Sequence, residues 1–216
     1  ANPSRKGRMQ GPTSSRVDWV KTLAGKGRRA LAPSHLQYRP LPVGSNTLHC
    51  VVLDMSASML RGEKLALAKG CLLALTELFY RRRERMAVIG FAGAQAQLLQ
   101  APAKVAAFNA AWIAPLQGGG GTPVQSAMAV LEAVLTQQKA AQAGLHSTVW
   151  LLTDGRFDPL PARPAGADAC HIVDFENDAV ALRRCERLAL SWDAHLVLAQ
   201  ELERVGEGPL HALSCL

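Results

Sequence analysis

Aromatic residues are scarce in this sequence: only 5% of its 216 positions are Phe, Trp or Tyr, while 49% are apolar. A core must therefore be built mainly from Ala, Leu and Val. No apolar run reaches the ~18 residues that a membrane-spanning helix requires. The first residues lack the apolar stretch of a secretory signal. Cysteine is sparse and odd in number, at positions 50, 71, 170, 185 and 215, with no Cys-x-x-Cys. That argues against a disulfide framework or a zinc site. Cys50 and Cys71 fall in apolar patterns and read as small core residues. A reducing cytoplasm is the expected location. No Gly-x-x-x-x-Gly-Lys-Ser/Thr occurs, so no nucleotide site is expected. No internal repeat is present.

The net charge of +7 is unevenly spread. Residues 1–40 hold nine Lys/Arg and one acid, Asp18, giving +8, whereas the remainder sums to −1. The basic character therefore belongs to an N-terminal arm, expected over residues 1–44. Such an arm can meet nucleic acid or an acidic protein partner. Nucleic acid is the weaker reading.

Residues 1–16 are rich in Ser, Gly, Pro and Arg and carry no periodic pattern. Val17, Val20, Leu23 and Ala24 share one face of an expected short helix. His35 to Arg39 alternates and reads as an edge strand ended by Pro40. Buried strands are then expected over 48–53, 86–91, 149–154, 171–175 and 195–199. An antiparallel edge strand is expected over 95–99. Helices are expected over 62–83, 105–113, from Val124 to Leu135, and over 179–190, the last with Leu182, Cys185 and Leu188–Ala189 facing in. Arg81-Arg82-Arg83 places cations at the negative end of the first of these long helices, or offers a contact to a partner or to nucleic acid. Strands alternating with helices imply a doubly wound, Rossmann-like α/β fold. Its sheet is mostly parallel, with helices on both faces. The domain is expected over 45–203, followed by an aperiodic tail over 204–216.

The chemistry gathers at strand ends. Leu48-His49-Cys50-Val51-Val52-Leu53 runs into Asp54-Met55-Ser56-Ala57-Ser58. A carboxylate and two hydroxyls at alternate positions can converge above the sheet, on the edge where open α/β folds bind ligands. Hard cations such as Mg²⁺ take oxygen ligands of this kind. Turn and cap chemistry is the competing reading of such residues. Gly118-Gly119-Gly120-Gly121-Thr122-Pro123 lies between two helical patterns. Val149-Trp150-Leu151-Leu152-Thr153-Asp154-Gly155 is a second strand ending in an acid. Asp158, Asp174, Glu176 and Asp178 also follow strands toward this edge, either as caps or as an acidic rim. His49, His171 and His195 sit in strands, where structural roles are expected.

Asp-x-Ser-x-Ser, then Gly-Thr-Pro, then Thr-Asp-Gly resembles the metal-ion-dependent adhesion site of von Willebrand factor A-type domains. The resemblance covers roughly residues 45–200. It implies a Mg²⁺ site, with Mn²⁺ an acceptable substitute, at Asp54, Ser56, Ser58, Thr122 and Asp154. By the same resemblance the hydroxyls bind directly and the two carboxylates act through water. A vacant coordination position would accept a partner's carboxylate.

Arg82-Arg83-Glu84-Arg85-Met86-Ala87-Val88-Ile89-Gly90-Phe91, Gly119-Gly120-Gly121-Thr122-Pro123-Val124 and Leu152-Thr153-Asp154-Gly155-Arg156 narrow the resemblance. They are similar to the C-terminal domain of magnesium-chelatase D subunits. Arg16-Val17-Asp18-Trp19-Val20-Lys21-Thr22-Leu23 looks like the linker preceding that domain. The ATPase-like domain and acidic Pro-rich linker of those subunits are not in this sequence, so a stand-alone or trimmed D-type protein is expected. The implied role is to bridge an AAA+ ATPase subunit of I type to a large catalytic subunit that inserts Mg²⁺ or Co²⁺ into a tetrapyrrole. No catalytic residue and no activity of the chain alone are expected. The alternative is a metal-dependent adaptor for another AAA+ remodeller of MoxR type.

Overall fold

The short apolar runs become strands of one sheet because both faces are covered, so each strand buries side chains on either side. In the computed structural model, residues 13–17, 22, 32–36, 38–40, 46–105, 113, 116–178 and 180–199 are described. Backbone contacts divide the chain into two compact units, Ala1–Ser45 and Asn46–Leu216.

In the first unit, β1 (Thr13–Val17) pairs antiparallel with β2 (Tyr38–Pro40) in a two-stranded sheet. Pro33–His35 forms a 3₁₀ turn. Two expectations are corrected here. Val17 ends a strand instead of opening a helix. The strand expected over 35–39 is displaced toward Pro40, because Pro33 opens a turn in which His35 N–H bonds back to the Ala32 carbonyl. The rest of the helix expected over 17–24 lies outside the described residues, save Thr22, which is helical.

The second unit holds β3 (Thr47–Asp54), α1 (Lys64–Arg82), β4 (Arg85–Ala92), β5 (Gln95–Lys104), α2 (Val124–Ala141), β6 (His146–Thr153), β7 (Ala169–Asp174), α3 (Arg184–Trp192) and β8 (His195–Leu198). The sheet order is β5-β4-β3-β6-β7-β8. Only β5 runs antiparallel, at the edge beside β4. This is the expected doubly wound α/β architecture. Alternation along β3 sorts the core: Val51 and Leu53 pack with Ala68, Leu72, Leu75 and Phe79 of α1. Cys50 and Val52 face the other way, onto Leu131 and Leu135 of α2 and Leu188 and Trp192 of α3.

Helix boundaries differ from expectation for identifiable reasons. α1 starts at Lys64, because Gly62 and Glu63 are both left-handed (φ 59° and 60°). It stops at Arg82, with Arg83 left-handed and its N–H on the Phe79 and Tyr80 carbonyls. α3 starts at Arg184, not 179. The Glu176 carboxylate takes the N–H groups of Leu182 (2.7 Å) and Arg183 (3.0 Å), holding both outside the helix. Leu182 is therefore 41% exposed rather than facing the core. The edge strand continues five residues past Leu99, to Lys104. The short helix expected over 105–113 and the tail over 204–216 lie outside the described residues, apart from Val105 and Ile113.

The histidines in strands build a ladder of rings across the α1 face. His49 stacks on Phe79 (3.7 Å between centroids), Trp150 on His171 (4.1 Å) and His171 on His195 (5.3 Å). Trp150 Nε1–H donates to His49 Nδ1 at 3.1 Å, so the other ring nitrogen, Nε2, carries the proton toward Glu84 Oε2 at 2.8 Å. Burial pulls the His171 pKa down to about 4, helped by the nearby His195 and His49 rings. A folded pKa below the unfolded value means that the unfolded chain takes up the proton first. Stability contributed here is therefore present at neutral pH and lost as pH falls from about 6.5 toward 4. We expect His171→Phe to lose about 2 kcal/mol less than wild type between pH 7 and 4.5 in denaturant unfolding, the linkage expected for one such group.

Candidate metal centre

β3 and β6 are parallel neighbours, so their C-terminal ends bring Asp54 and Asp154 to the same sheet edge. Asp54 is fully buried, and both its oxygens are engaged. Oδ1 accepts the Ser56 N–H at 2.9 Å and Oδ2 accepts the Thr153 hydroxyl at 2.6 Å. Burial pushes the Asp54 pKa up, and these hydrogen bonds oppose the shift. Thr153 Oγ1 in turn accepts the Gly155 N–H at 3.0 Å. The Asp54 carboxylate thus ties the loop after β3 to the loop after β6.

A line of oxygens leads across the site. Ser56 Oγ lies 3.1 Å from Ser58 Oγ, and the Ser58 hydroxyl donates to Asp154 Oδ1 at 3.0 Å. Ser58 has one proton and gives it to Asp154, so Ser56 is the donor within the serine pair. Ser56 and Asp154 are each 1% exposed.

The glycine run delivers Thr122. Gly119 N–H donates to the Met55 carbonyl at 2.8 Å, and Ala57 N–H donates to the Gly120 carbonyl at 3.1 Å. The two loops approach backbone to backbone. A Cβ on Gly118 would lie 2.6 Å from the Met55 oxygen, and one on Gly120 would lie 2.7 Å from Gly93 Cα. Only glycine fits such an approach. Thr122 follows two residues after Gly120 and is half-buried at the entry to α2. Ser56, Ser58 and Asp154 are thus in direct contact, Asp54 is joined to them through Ser56 and Thr153, and Thr122 sits on the loop bonded to Ala57.

The four outer acids divide differently. Asp174 Oδ1 accepts the Glu176 N–H at 2.8 Å, and Glu176 caps Leu182 and Arg183. Asp158 pairs with Arg184 at 3.7 Å. These three do turn, cap and pairing chemistry. Asp178 instead reaches Lys64 Nζ at 2.6 Å and Arg156 Nη2 at 3.1 Å. The Lys64 hydrogen bond holds its carboxyl below the usual carboxylate range. Lys64 also donates to Asp154 Oδ2 at 3.2 Å. Sequence reasoning missed Lys64, Arg156 and the supporting bond from Thr153. Thr153 and Arg156 were visible within Leu152-Thr153-Asp154-Gly155-Arg156, though without a role; no local signal marks Lys64.

The donor set contains oxygen only, three hydroxyls and two carboxylates, and suits a hard cation such as Mg²⁺. A doubly wound sheet with oxygen-bearing side chains gathered at the ends of β3 and β6 defines the class of domain. Residues 50–156 match the von Willebrand factor type A domain family. The chain carries a von Willebrand factor type A domain. It is 32% identical over 171 residues to the magnesium-chelatase 60 kDa subunit of Rhodobacter capsulatus, across 71% of this chain and 29% of that one. It is 30% identical over 209 residues to an uncharacterised protein of Mycobacterium tuberculosis, across 88% of this chain and 33% of that one. The chain therefore spans a third or less of the length of these relatives. Among solved structures, the SpRpn10 VWA domain superposes with a TM-score of 0.52 at 11% identity, over 76% of this chain and 97% of that one. That likeness concerns the fold. No helix among the described residues is long and apolar enough to cross a membrane.

Proposed function

We propose that Asp54, Ser56, Ser58, Thr122 and Asp154 hold one Mg²⁺, and that the chain is the protein-interaction subunit of an ATP-driven tetrapyrrole metal chelatase. In this role it bridges an AAA+ ATPase subunit to the large catalytic subunit. The observation that carries the reading is the Ser56–Ser58–Asp154 oxygen line, set in a domain 32% identical to a magnesium-chelatase subunit. Ser56, Ser58 and Thr122 offer neutral hydroxyls, and Asp54 and Asp154 supply the charge behind them. A bound cation with few charged ligands stays electrophilic and accepts a carboxylate from a partner protein. The chain's own residues orient and dock. Ser56 and Ser58 are engaged with each other and with Asp154, and in this reading all three serve the cation. Cys50, Cys71, Cys170 and Cys185 are free and buried, which supports a reducing, cytoplasmic setting.

Affinity capture from the source cells, with mass spectrometry, tests the reading. Wild type in Mg²⁺ is expected to retain a chelatase ATPase subunit and a large catalytic subunit. EDTA and Thr122→Ala are each expected to release them. Capture of a different ATPase without chelatase subunits would overturn the chelatase assignment.

A further inference from the structure

Lys64 opens α1 with only 2% of its surface exposed. Lysine is almost never buried this far unless paired, because removing an ammonium from water is costly. Its two partners sit far apart in sequence. Nζ donates to Asp154 Oδ2 at 3.2 Å and to Asp178 Oδ2 at 2.6 Å. Asp154 is thereby divided between two tasks. Oδ1 accepts the Ser58 hydroxyl at 3.0 Å and the Arg156 N–H at 3.3 Å, whereas Oδ2 faces the ammonium. Arg156 completes the cluster, with Nη2 3.1 Å from Asp178 and Nε 3.8 Å from Asp154 Oδ2.

We propose that Lys64 is a positioning residue and built-in rival to the metal: it shares Asp154 with the bound cation, and Asp178 sets how strongly it competes. The proposal rests on the metal-binding reading above and adds what controls affinity there. Asp154 and Asp178 meet Lys64 and Arg156, so two carboxylates are matched by two cations. The charges balance within this cluster, which leaves it little net attraction for a divalent ion. A cation held by Asp154 must share that carboxylate with an ammonium of like sign, and in a water-poor site the repulsion is weakly screened. Asp178 counteracts this. It lies closer to Nζ than Asp154 does and draws the ammonium away from the site. It follows β7, whereas Lys64 belongs to α1, so metal affinity depends on the loop after β7 staying in place. A cation held this loosely exchanges readily, and a partner's carboxylate has more to contribute to its retention.

A purely structural lysine predicts the opposite sign. If Lys64 only props Asp154 in place, removing it disorders the carboxylate and weakens the metal. If it competes, removing it strengthens the metal. Mn²⁺ titrations of the full chain, by calorimetry and by loss of the free-Mn²⁺ spin-resonance signal, distinguish the two. Lys64→Met is expected to bind Mn²⁺ about tenfold more tightly or better, the size expected for one like charge removed near a divalent ion. Its melting temperature should also depend more steeply on Mn²⁺, because the cation replaces the lost counter-charge. Asp178→Asn returns the ammonium to Asp154 and is expected to weaken Mn²⁺ about fivefold or more. Lys64→Arg should stay near wild type.

Weaker or unchanged binding by Lys64→Met overturns the proposal. So does unchanged or tighter binding by Asp178→Asn. If Lys64→Met does not fold, Lys64→Gln decides in its place, because it keeps a hydrogen-bond donor toward Asp154 and Asp178 while removing the charge. If wild type, folded by circular dichroism, binds no Mn²⁺, the metal reading falls and this proposal with it. Binding by wild type with the wrong response in the variants overturns this proposal only.

Discussion

Calorimetry is expected to show one Mg²⁺ bound by wild type and none by Asp54→Asn in the same concentration range. Asp54 is fully buried at the end of β3, and its two oxygens hold the Ser56 N–H and the Thr153 hydroxyl. Asparagine preserves much of that geometry. Its carbonyl accepts from Ser56, and its amide can donate to Thr153 Oγ1. The loops should stay joined, so the change removes charge more than shape. Loss of one supporting group around a metal typically costs ~10–100-fold in affinity, and here the group lost is one of two carboxylates. Stability should report the same event. Mg²⁺ at 100 times its dissociation constant stabilises a folded protein by about 2.7 kcal/mol, so the wild-type melting temperature should rise with Mg²⁺ and that of Asp54→Asn should not. Without metal the order reverses. Burial disfavours the Asp54 carboxylate, and replacing it with a neutral amide should leave the metal-free variant at least as stable as wild type. Equal Mg²⁺ binding by the two proteins would remove the site.

The elements legible in the sequence are those whose signals are local. Leu48 to Leu53 is apolar but for His49 because β3 is central and buried on both faces, so a six-residue run sufficed to name a strand and to place Asp54 at its end. The antiparallel edge was legible for the opposite reason: Gln95, Ala96 and Gln97 alternate polar and apolar, the two glutamines exposed and Ala96 half-buried, because one side of β5 meets solvent. The five candidate ligands were legible as oxygens at strand ends and beside a glycine run. What stayed hidden is non-local. A lysine in the first turn of an amphipathic helix reads as a solvated charge. Lys64 is buried only because Asp154 and Asp178, 90 and 114 residues away, supply its counter-charges. α3 begins late because Glu176 bonds two backbone amides six and seven residues downstream, and hydrophobic periodicity contains no trace of such a bond. In the first unit, Thr13–Val17 forms a strand only because Tyr38–Pro40 lies beside it. A serine-rich stretch shows no sign of a partner more than twenty residues on.

Gly120→Val should abolish cation binding while leaving the sheet folded. Gly120 adopts φ 80°, a conformation that β-branched side chains strongly resist. Its added Cβ would also stand 2.7 Å from Gly93 Cα and 3.2 Å from Gly93 N, and backbone atoms cannot swing aside as a flexible side chain can. The loop must therefore lift away from the β4–β5 turn. Lifting breaks the bond between Ala57 N–H and the Gly120 carbonyl and carries off Thr122, two residues on. None of the core strands runs through this loop, and α2 starts beyond it at Val124, so far-ultraviolet circular dichroism should remain close to wild type. Strain and the lost bond should together cost about 2–4 kcal/mol of stability. The expected cation affinity lies below that of Thr122→Ala, because the mutation displaces the Ala57 loop between Ser56 and Ser58 as well as one hydroxyl. Gly70→Ala is the matched control, since its Cβ meets nothing within 4 Å in the middle of α1. It should bind Mg²⁺ like wild type and melt slightly higher, as alanine is favoured over glycine inside a helix. Wild-type affinity in a folded Gly120→Val would show that the glycine loop has no part in holding the cation.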